Sequence, residues 1–165
     1  MVKKITLTLS FLLLISTQSL LGANDKKSNN TLTINSKLTL TLPNQFDKEV
    51  TLTSTTKKVI FVFAKATGHT VKVFLKKQDK NYLPSKNILY VADVSGMPSL
   101  IRNIFAMPNF KKSPYSIALI YDEKTASLYK NAKNADKITI VTLNNRVITN
   151  IQTLTTEKEL KAALQ

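Results

Sequence analysis

Hydrophobic and polar residues alternate along two short stretches that precede the apolar middle of the chain. Residues 37–42 alternate with a period of two, which predicts a strand with one buried face, and Pro43 and the polar residues after it end that strand. Residues 49–52 have the length and composition of a short partner strand. The pattern therefore predicts an N-terminal β-hairpin.

A continuous apolar run at residues 59–64 predicts the central strand, because strands buried on both faces of a parallel sheet show no polar alternation. Residues 67–82 follow it and place Val71, Phe74 and Leu75 at positions i, i+3 and i+4, which is the spacing of an amphipathic helix. A strand that leads directly into a helix in this way begins a β-α unit.

The alternation of strand and helix continues along the chain. Residues 87–94 predict a second apolar strand, residues 98–105 a helix with large apolar residues, and residues 115–121 a further strand. Strands joined through helices pair in parallel by right-handed crossovers. We therefore predict a parallel core to the sheet.

The last part of the chain predicts an antiparallel hairpin and a closing helix. Residues 137–143 and 146–154 pair across Asn144-Asn145, a two-residue turn that asparagine can form because it tolerates a positive φ. Thr156 and Glu159 then form the Thr-x-x-Glu pattern of a capping box at a helix start.

The first residues of the chain have the pattern of a targeting segment. Two lysines precede an apolar stretch at residues 5–21, which is typical of a secretory signal peptide with cleavage near Gly22 or Ala23; an uncleaved membrane anchor is the alternative. The stretch after it is rich in Lys, Ser, Asn and Thr and predicts a flexible tether. We therefore predict a periplasmic protein with a signal peptide at residues 1–23, a tether at 24–35 and one domain at 36–165.

Composition excludes several classes of function. The 165 residues are 43% hydrophobic, which is enough for one compact core, but the absence of cysteine excludes thiolate catalysis, disulfides, zinc fingers and iron–sulfur clusters. Gly22, Gly68 and Gly96 lie too far apart for a glycine-rich phosphate loop. His69 is the only histidine, which excludes a histidine-rich metal site, and we predict no metal and no cofactor.

The chain is strongly basic. It has 24 Lys and Arg against 10 Asp and Glu, a formal net charge of +14, and removal of residues 1–23 would leave +12. Arg102 and Arg146 are the only arginines, whereas bidentate recognition of phosphates and bases relies on arginine, so nucleic-acid binding is disfavoured. Anionic lipid headgroups, cell-wall polymers or an acidic protein fit the composition better as partners. A solvated lysine surface without any partner is the alternative.

The order of the predicted elements is similar to that of the thioredoxin-like superfamily, and two stretches carry the resemblance. Residues 42–52 resemble the motif LPDQ-x-G-K-x-V-x-L of its exported peroxiredoxin-like and thiol-disulfide oxidoreductase branches, and residues 57–63 resemble their strand KGKVVLV-x-F. Residues 113–164 are also similar to the YtfJ-like group. The resemblance implies an α/β fold, a thioredoxin-like three-layer sandwich with a mixed central sheet and an N-terminal β-hairpin.

The same resemblance implies a W-C-x-x-C motif at the start of the helix after the central strand. Counted without gaps, Gly68 and Val71 stand where the two cysteines would be, and no proline lies near Lys137, where the family has a cis-proline. Both functional elements of the family are therefore missing, and we predict neither a thiol-disulfide oxidoreductase nor a peroxidase.

One group of candidate binding residues lies at this helix start. Residues 66–70 are predicted as a loop in which exposed amides and the hydroxyls of Thr67 and Thr70 bind an anion or a peptide carboxylate; the alternative is that Thr67 only caps the helix. Gly68 and His69 belong to the same site. His69 has the chemistry of a general base or weak metal ligand, but spacing identifies no triad partner, which favours a surface histidine.

Carboxylates form a second candidate group. Asp93 lies at the carboxyl end of a predicted parallel strand, where α/β proteins place functional groups, although capping the next helix is the simpler role. Asp122 and Glu123 suggest paired acids, but adjacent residues at a strand end point apart, which favours a solvated turn.

Three hypotheses follow from these patterns. The leading one is an exported thioredoxin-fold protein without redox function, a non-catalytic binding or accessory module for an unidentified protein or peptide in the cell envelope. Its predicted binding residues are Thr67, Gly68, His69, Thr70 and Asp93. A cysteine-independent enzyme is the competitor, and it requires His69 to converge with Asp93 or Asp122 within about 8 Å. A lysine-driven binder of an acidic envelope surface is the third, and it requires one contiguous positive face.

Overall fold

The computed structural model describes residues 32–165, so the predicted signal peptide and most of the predicted tether lie outside the described residues. The strands are β1 (Thr41–Pro43), β2 (Glu49–Thr51), β3 (Lys58–Val62), β4 (Ile88–Asp93), β5 (Ala118–Ile120), β6 (Ile138–Asn144) and β7 (Val147–Leu154). The α-helices are α1 (Lys65–Lys76), α2 (Tyr82–Ser85), α3 (Ser99–Ile101), α4 (Met107–Lys111), α5 (Glu123–Tyr129) and α6 (Glu157–Ala163). A π-helical segment, Arg102–Ala106, joins α3 to α4, and a short 3₁₀ turn, Ala132–Asn134, follows α5.

Five strands form one mixed sheet in the order β5-β4-β3-β6-β7. Strands β5, β4 and β3 are parallel, while β6 pairs antiparallel with β3 and with β7. β1 and β2 form a separate antiparallel pair. The predicted parallel core, central strand and C-terminal hairpin are confirmed.

Apolar layers cover both faces of this sheet. On one face, Ile60 and Val62 of β3 pack in a cluster with residues of α1, α2 and α6, and α4 packs against it. On the other face, Val59 and Phe61 pack with residues of α5 and with Leu38, Leu40 and Leu42 of the N-terminal segment. Helices and an extended segment therefore enclose the sheet from two sides, which confirms the predicted three-layer α/β sandwich.

The predicted first strand is shorter than its alternating pattern. Only Thr41–Pro43 is regular strand, although the apolar side chains of residues 37–42 are buried as expected. The segment crosses one face of the sheet, touching β7 through a bridge from Lys37 to Val147 and β5 through a bridge from Asn44 to Ala118. The alternating pattern correctly predicted which side chains are buried. The strand is short because a segment that crosses the sheet has no continuous partner strand for its backbone hydrogen bonds.

Helix boundaries also differ from the sequence predictions. The helix predicted at residues 67–82 begins at Lys65 and ends at Lys76, where the Lys77 amide donates to the Phe74 carbonyl (3.1 Å). Beyond it, Asp79 accepts a hydrogen bond from the Asn81 amide and turns the chain before the separate helix α2. The helix predicted at residues 98–105 runs on through the π-helical segment to the end of α4.

The hairpin between β6 and β7 turns one residue later than predicted. Its two connecting residues are Asn145 and Arg146, with φ angles of 47° and 68°. Both central positions of this kind of turn need a positive φ, so Arg146 adopts a backbone conformation that the sequence pattern assigned to asparagine.

A buried glutamine joins the N-terminal segment by hydrogen bonds to the backbone just before the edge strand β5. Gln45 is fully buried; its Nε2 donates to the Tyr115 carbonyl (2.8 Å), and its Oε1 accepts from the Ile117 amide (2.8 Å). Beside it, the Asn44 Oδ1 accepts from the amides of Phe46 and Lys48 and forms the turn between β1 and β2. The polar residues in the motif that resembles LPDQ therefore have structural roles here.

We expect Gln45→Ala to lower the free energy of unfolding by about 2–4 kcal/mol, because it leaves a buried carbonyl and a buried amide without partners. Denaturant unfolding measures the change. Gln152→Ala, at an exposed position of β7, is the matched control and should change stability by less than about 0.5 kcal/mol. Equal losses in the two variants would contradict the assigned role of Gln45.

A capping box begins α6, as predicted. The Thr156 hydroxyl accepts from the Glu159 amide (3.2 Å), and the Glu159 carboxylate accepts from the amides of Thr155 and Thr156 (both 2.9 Å). These hydrogen bonds to the charged form lower the pKa of Glu159 to about 2. The folded-state pKa lies below the unfolded one, so the carboxylate stabilises the fold above about pH 4.5, and this stabilisation is lost as the pH falls towards 2.

We expect Glu159→Gln to remove this contribution to the pH dependence of the free energy of unfolding, because an amide does not titrate. The difference in stability between the two proteins should be largest at neutral pH and should vanish near pH 2, as thermal melts across pH 2–7 would measure. Glu49→Gln, at an exposed position of β2, provides the control. A constant difference at every pH would contradict the pKa shift.

Candidate functional site

A cavity of 930 Å³ lies at the edge of the sheet where β3 and β4 end. Parallel strands place their carboxyl ends at the same edge, so Val62 at the end of β3 and Phe63 after it lie close to Ala92 and Asp93 at the end of β4. The first turns of α1, the loop after β4, and the helical segments from α3 to α4 form further walls. In α/β sheets this edge is the usual position for a ligand.

The lining of this cavity is mostly apolar. Tyr90 and Tyr115 are buried beside it with their rings 6.3 Å apart, and burial raises the pKa of both phenols, which keeps them neutral. Met97, Ile101 and Phe105 line the side formed by the loop after β4 and the start of the long helical segment. A mainly apolar cavity with a few polar groups is the composition of a typical small-molecule or side-chain binding site.

Asp93 is tied to residues beside it. Its carboxylate is 4% exposed, lies 3.6 Å from the Lys130 Nζ, and accepts hydrogen bonds from the Ser95 amide (2.9 Å) and hydroxyl (2.6 Å). The next helix, α3, begins at Ser99 with Pro98 at its N-cap, so the expectation that Asp93 caps this helix is wrong. The Asp93 carboxylate instead organises the loop that follows β4.

The positive groups around the cavity outnumber the negative ones. Lys65 and Lys72 of α1 and Lys130 line it, against Asp93 and Glu123. Because Lys130 already pairs with Asp93, the remaining charge at the rim is positive. A ligand that carries an anionic group beside an apolar group would therefore match the charge and the apolar lining of this cavity.

The start of α1 differs from the predicted loop. Residues 66–70 are helical, Ala64 is the N-cap, and no side chain caps the helix, so Thr67 has no capping role. The Thr67 hydroxyl donates to the Ala64 carbonyl (2.8 Å) and the Thr70 hydroxyl to the Ala66 carbonyl (3.2 Å). Both hydroxyl protons are donated within the helix, so these hydroxyls can act towards a ligand only as hydrogen-bond acceptors.

Gly68 stands one turn inside the helix. Its amide donates to the Ala64 carbonyl (3.0 Å), so the free amides at the helix start belong to Lys65, Ala66 and Thr67. Helix α1 begins at Lys65 with Ala64 as its N-cap, and Gly68 is its fourth residue. No thiol stands at either position.

His69 is exposed at the cavity wall. No residue in the described part of the chain exchanges a hydrogen bond with its imidazole. The two carboxylates considered as its partners have other contacts: Asp93 binds Ser95 and Lys130, and the Asp122 Oδ1 caps α5 by accepting from the Thr125 amide (2.8 Å). Asp122 is exposed, as the predicted solvated turn requires, and its role as the N-cap of α5 is an addition from the structure. Among residues 32–165 no group of three potential metal ligands occurs.

The structure brings together only part of the predicted site and adds residues that sequence reasoning missed. Gly68, His69 and Asp93 line the cavity, whereas Thr67 and Thr70 do not. The missed residues include Ile101 and Phe105, for which the sequence predicted a helix with large apolar residues but no part in a site. The excess of large apolar residues in that short helix was the available signal.

Comparison with known proteins supports the fold. No protein-family profile matches the chain, and no curated protein matches its sequence. A candidate protein disulfide isomerase from Bacteroides thetaiotaomicron is 19% identical with a TM-score of 0.51, and the match covers 81% of this chain and 86% of that one. Peroxidoxin BcpB from Mycobacterium tuberculosis is 14% identical with a TM-score of 0.51, and the match covers 80% of this chain and 95% of that one. StoA from Bacillus subtilis is 12% identical with a TM-score of 0.51, and the match covers 79% of this chain and 99% of that one. The chain has a thioredoxin-like fold, and it lacks the C-x-x-C motif because it has no cysteine.

We expect Gly68→Ala to raise the free energy of unfolding by about 0.5–1 kcal/mol, because glycine in a helix is less favourable than alanine. An added Cβ would have only an ordinary contact, 3.9 Å from Val62 Cγ2, and the backbone is helical. Ala66→Gly, two residues earlier in the same helix, is the matched control and should lower stability by a similar amount. Chemical denaturation measures both changes, and a destabilised Gly68→Ala would contradict the geometry.

Proposed function

We propose that this protein is an exported, non-catalytic binding module whose cavity at the ends of β3 and β4 holds an apolar side chain of a protein or peptide in the cell envelope. The observation that carries the proposal is the cavity itself: 930 Å³, mostly apolar walls and a few polar groups. Export rests on the signal-peptide pattern of residues 1–23.

The chemistry around the cavity supports binding better than catalysis. Without cysteine there is no nucleophilic sulfur, and the Asp93 carboxylate is held by Ser95 and Lys130 instead of orienting His69. A general base needs a partner or substrate within hydrogen-bond reach, and His69 has no protein group that fixes its imidazole. The residual positive charge from Lys65 and Lys72 favours an occupant with acidic residues beside its apolar group.

The cavity can be tested with N-phenyl-1-naphthylamine, a neutral apolar dye that fluoresces in dry sites. We expect the dye to bind the protein and Gly68→Leu to weaken binding on the order of tenfold, because the added side chain would occupy cavity volume. Ala66→Leu is the matched control: it adds a leucine on the same helix at an exposed position outside the cavity.

Equal affinity of the two variants, or no binding by the parent protein, would contradict a ligand site at this cavity. An insulin-reduction assay on the same preparation should stay at background, since disulfide exchange requires a thiolate. Reductase activity in the pure protein would contradict a non-redox role.

A further inference from the structure

The long helical segment beside the cavity exposes four large apolar side chains. Leu100 is 67% exposed, Phe105 60%, Ile104 54% and Ile101 46%. In a helix, residues four positions apart lie on one face, so Leu100 with Ile104 and Ile101 with Phe105 form two adjacent rows. We call these four side chains the apolar ridge. Exposed apolar groups of this size, gathered on one element, are typical of an interaction site.

The rest of the segment is fixed to the protein by its opposite side. Met107 and Phe110 pack against the core cluster, Tyr121 donates a hydrogen bond to the Met107 sulfur (3.6 Å), and the Arg102 guanidinium lies 5.0 Å above the Tyr121 ring. The ridge therefore protrudes from an anchored helix. Five of its residues, Arg102–Ala106, adopt a π-helical turn, a local geometry that is often found at functional sites.

Charge identifies the kind of surface that fits the ridge. The stretch from residue 94 to residue 121 contains no acidic residue and three basic ones, Arg102, Lys111 and Lys112. Lys111 and Lys112 are exposed at the end of the same helical segment. Protruding aliphatic and aromatic side chains with lysines beside them are the features of a helix that lies in the interface of an anionic membrane.

We propose that the apolar ridge docks on a lipid bilayer with anionic headgroups, inserting Leu100, Ile101, Ile104 and Phe105 while Lys111 and Lys112 contact the headgroups. The helix lies parallel to the bilayer surface; no helix within residues 32–165 is long and apolar enough to span a membrane. Docking does not depend on which occupant the cavity holds, but Ile101 and Phe105 belong to the ridge and also line the cavity. Insertion of the ridge would therefore place the cavity mouth at the membrane surface.

Vesicle sedimentation with the mature protein tests this directly. We expect binding to phosphatidylcholine vesicles that contain about a third phosphatidylglycerol, much weaker binding to pure phosphatidylcholine, and weakening by salt. The double variant Leu100→Ser/Ile104→Ser should lower the partition coefficient at least about tenfold. Lys111→Gln/Lys112→Gln should lower it by about fivefold for each lysine.

Matched controls use exposed residues of other elements. Ile34→Ser/Val147→Ser removes two exposed apolar side chains near the β6–β7 turn, and Lys76→Gln/Lys80→Gln removes two exposed lysines at and beyond the end of α1. Both controls should retain binding to within about twofold. If the controls lose as much as the ridge variants, or if the parent protein ignores anionic vesicles at low salt, the proposal is wrong.

A second readout follows from the absence of tryptophan in the chain. Phe105→Trp places a single fluorophore on the ridge, and we expect its emission to shift to shorter wavelength on anionic vesicles and to be quenched by brominated lipid. Ile34→Trp should show neither effect. An unshifted Phe105→Trp spectrum with bound vesicles would overturn insertion of the ridge, and binding of an acidic apolar peptide to the ridge without vesicle binding would assign it to a protein partner instead.

Discussion

Burial of the central strand on both faces is the constraint on which the rest of the structure depends. Ile60 and Phe61 are both fully buried, and because neighbouring residues point to opposite sides of a strand, each needs its own apolar layer. The α1–α6 side supplies one layer, while α5 and the N-terminal segment supply the other. With both faces covered, the edge where β3 and β4 end is open for a cavity.

Two polar residues of the motif that first suggested the fold have structural roles in this protein. Asn44 shapes the turn between β1 and β2, and Gln45 completes the hydrogen bonds of backbone groups next to β5. Neither task involves a thiol. A chain can therefore have a thioredoxin-like fold while its helix start carries Ala64 and Lys65, and fold resemblance alone carries no redox activity.

Sequence reasoning succeeded where one local signal determined the outcome. The apolar run at residues 59–64 identified β3, and the Thr156–Glu159 pair identified the start of α6. Burial on both faces and helix capping each leave a recognisable pattern within a few neighbouring residues. Sequence reasoning failed where tertiary contacts decide. Helix α1 begins at Lys65 without any capping side chain, and the large apolar residues of the helix predicted at 98–105 form an exposed ridge, which the sequence pattern did not show. Periodicity identifies an apolar face but not whether another element covers it.

Gln45 also has a consequence for the order of folding events. Its partners lie 70 and 72 residues away along the chain, so their contact must await closure of a long loop, whereas neighbouring β-α units assemble from nearer segments. Until these bonds form, the backbone groups of Tyr115 and Ile117 beside β5 are unpaired, and unpaired backbone next to a strand is the kind of surface on which another chain can add a strand. Newly synthesised molecules would therefore be most prone to self-association before the N-terminal segment has crossed the sheet.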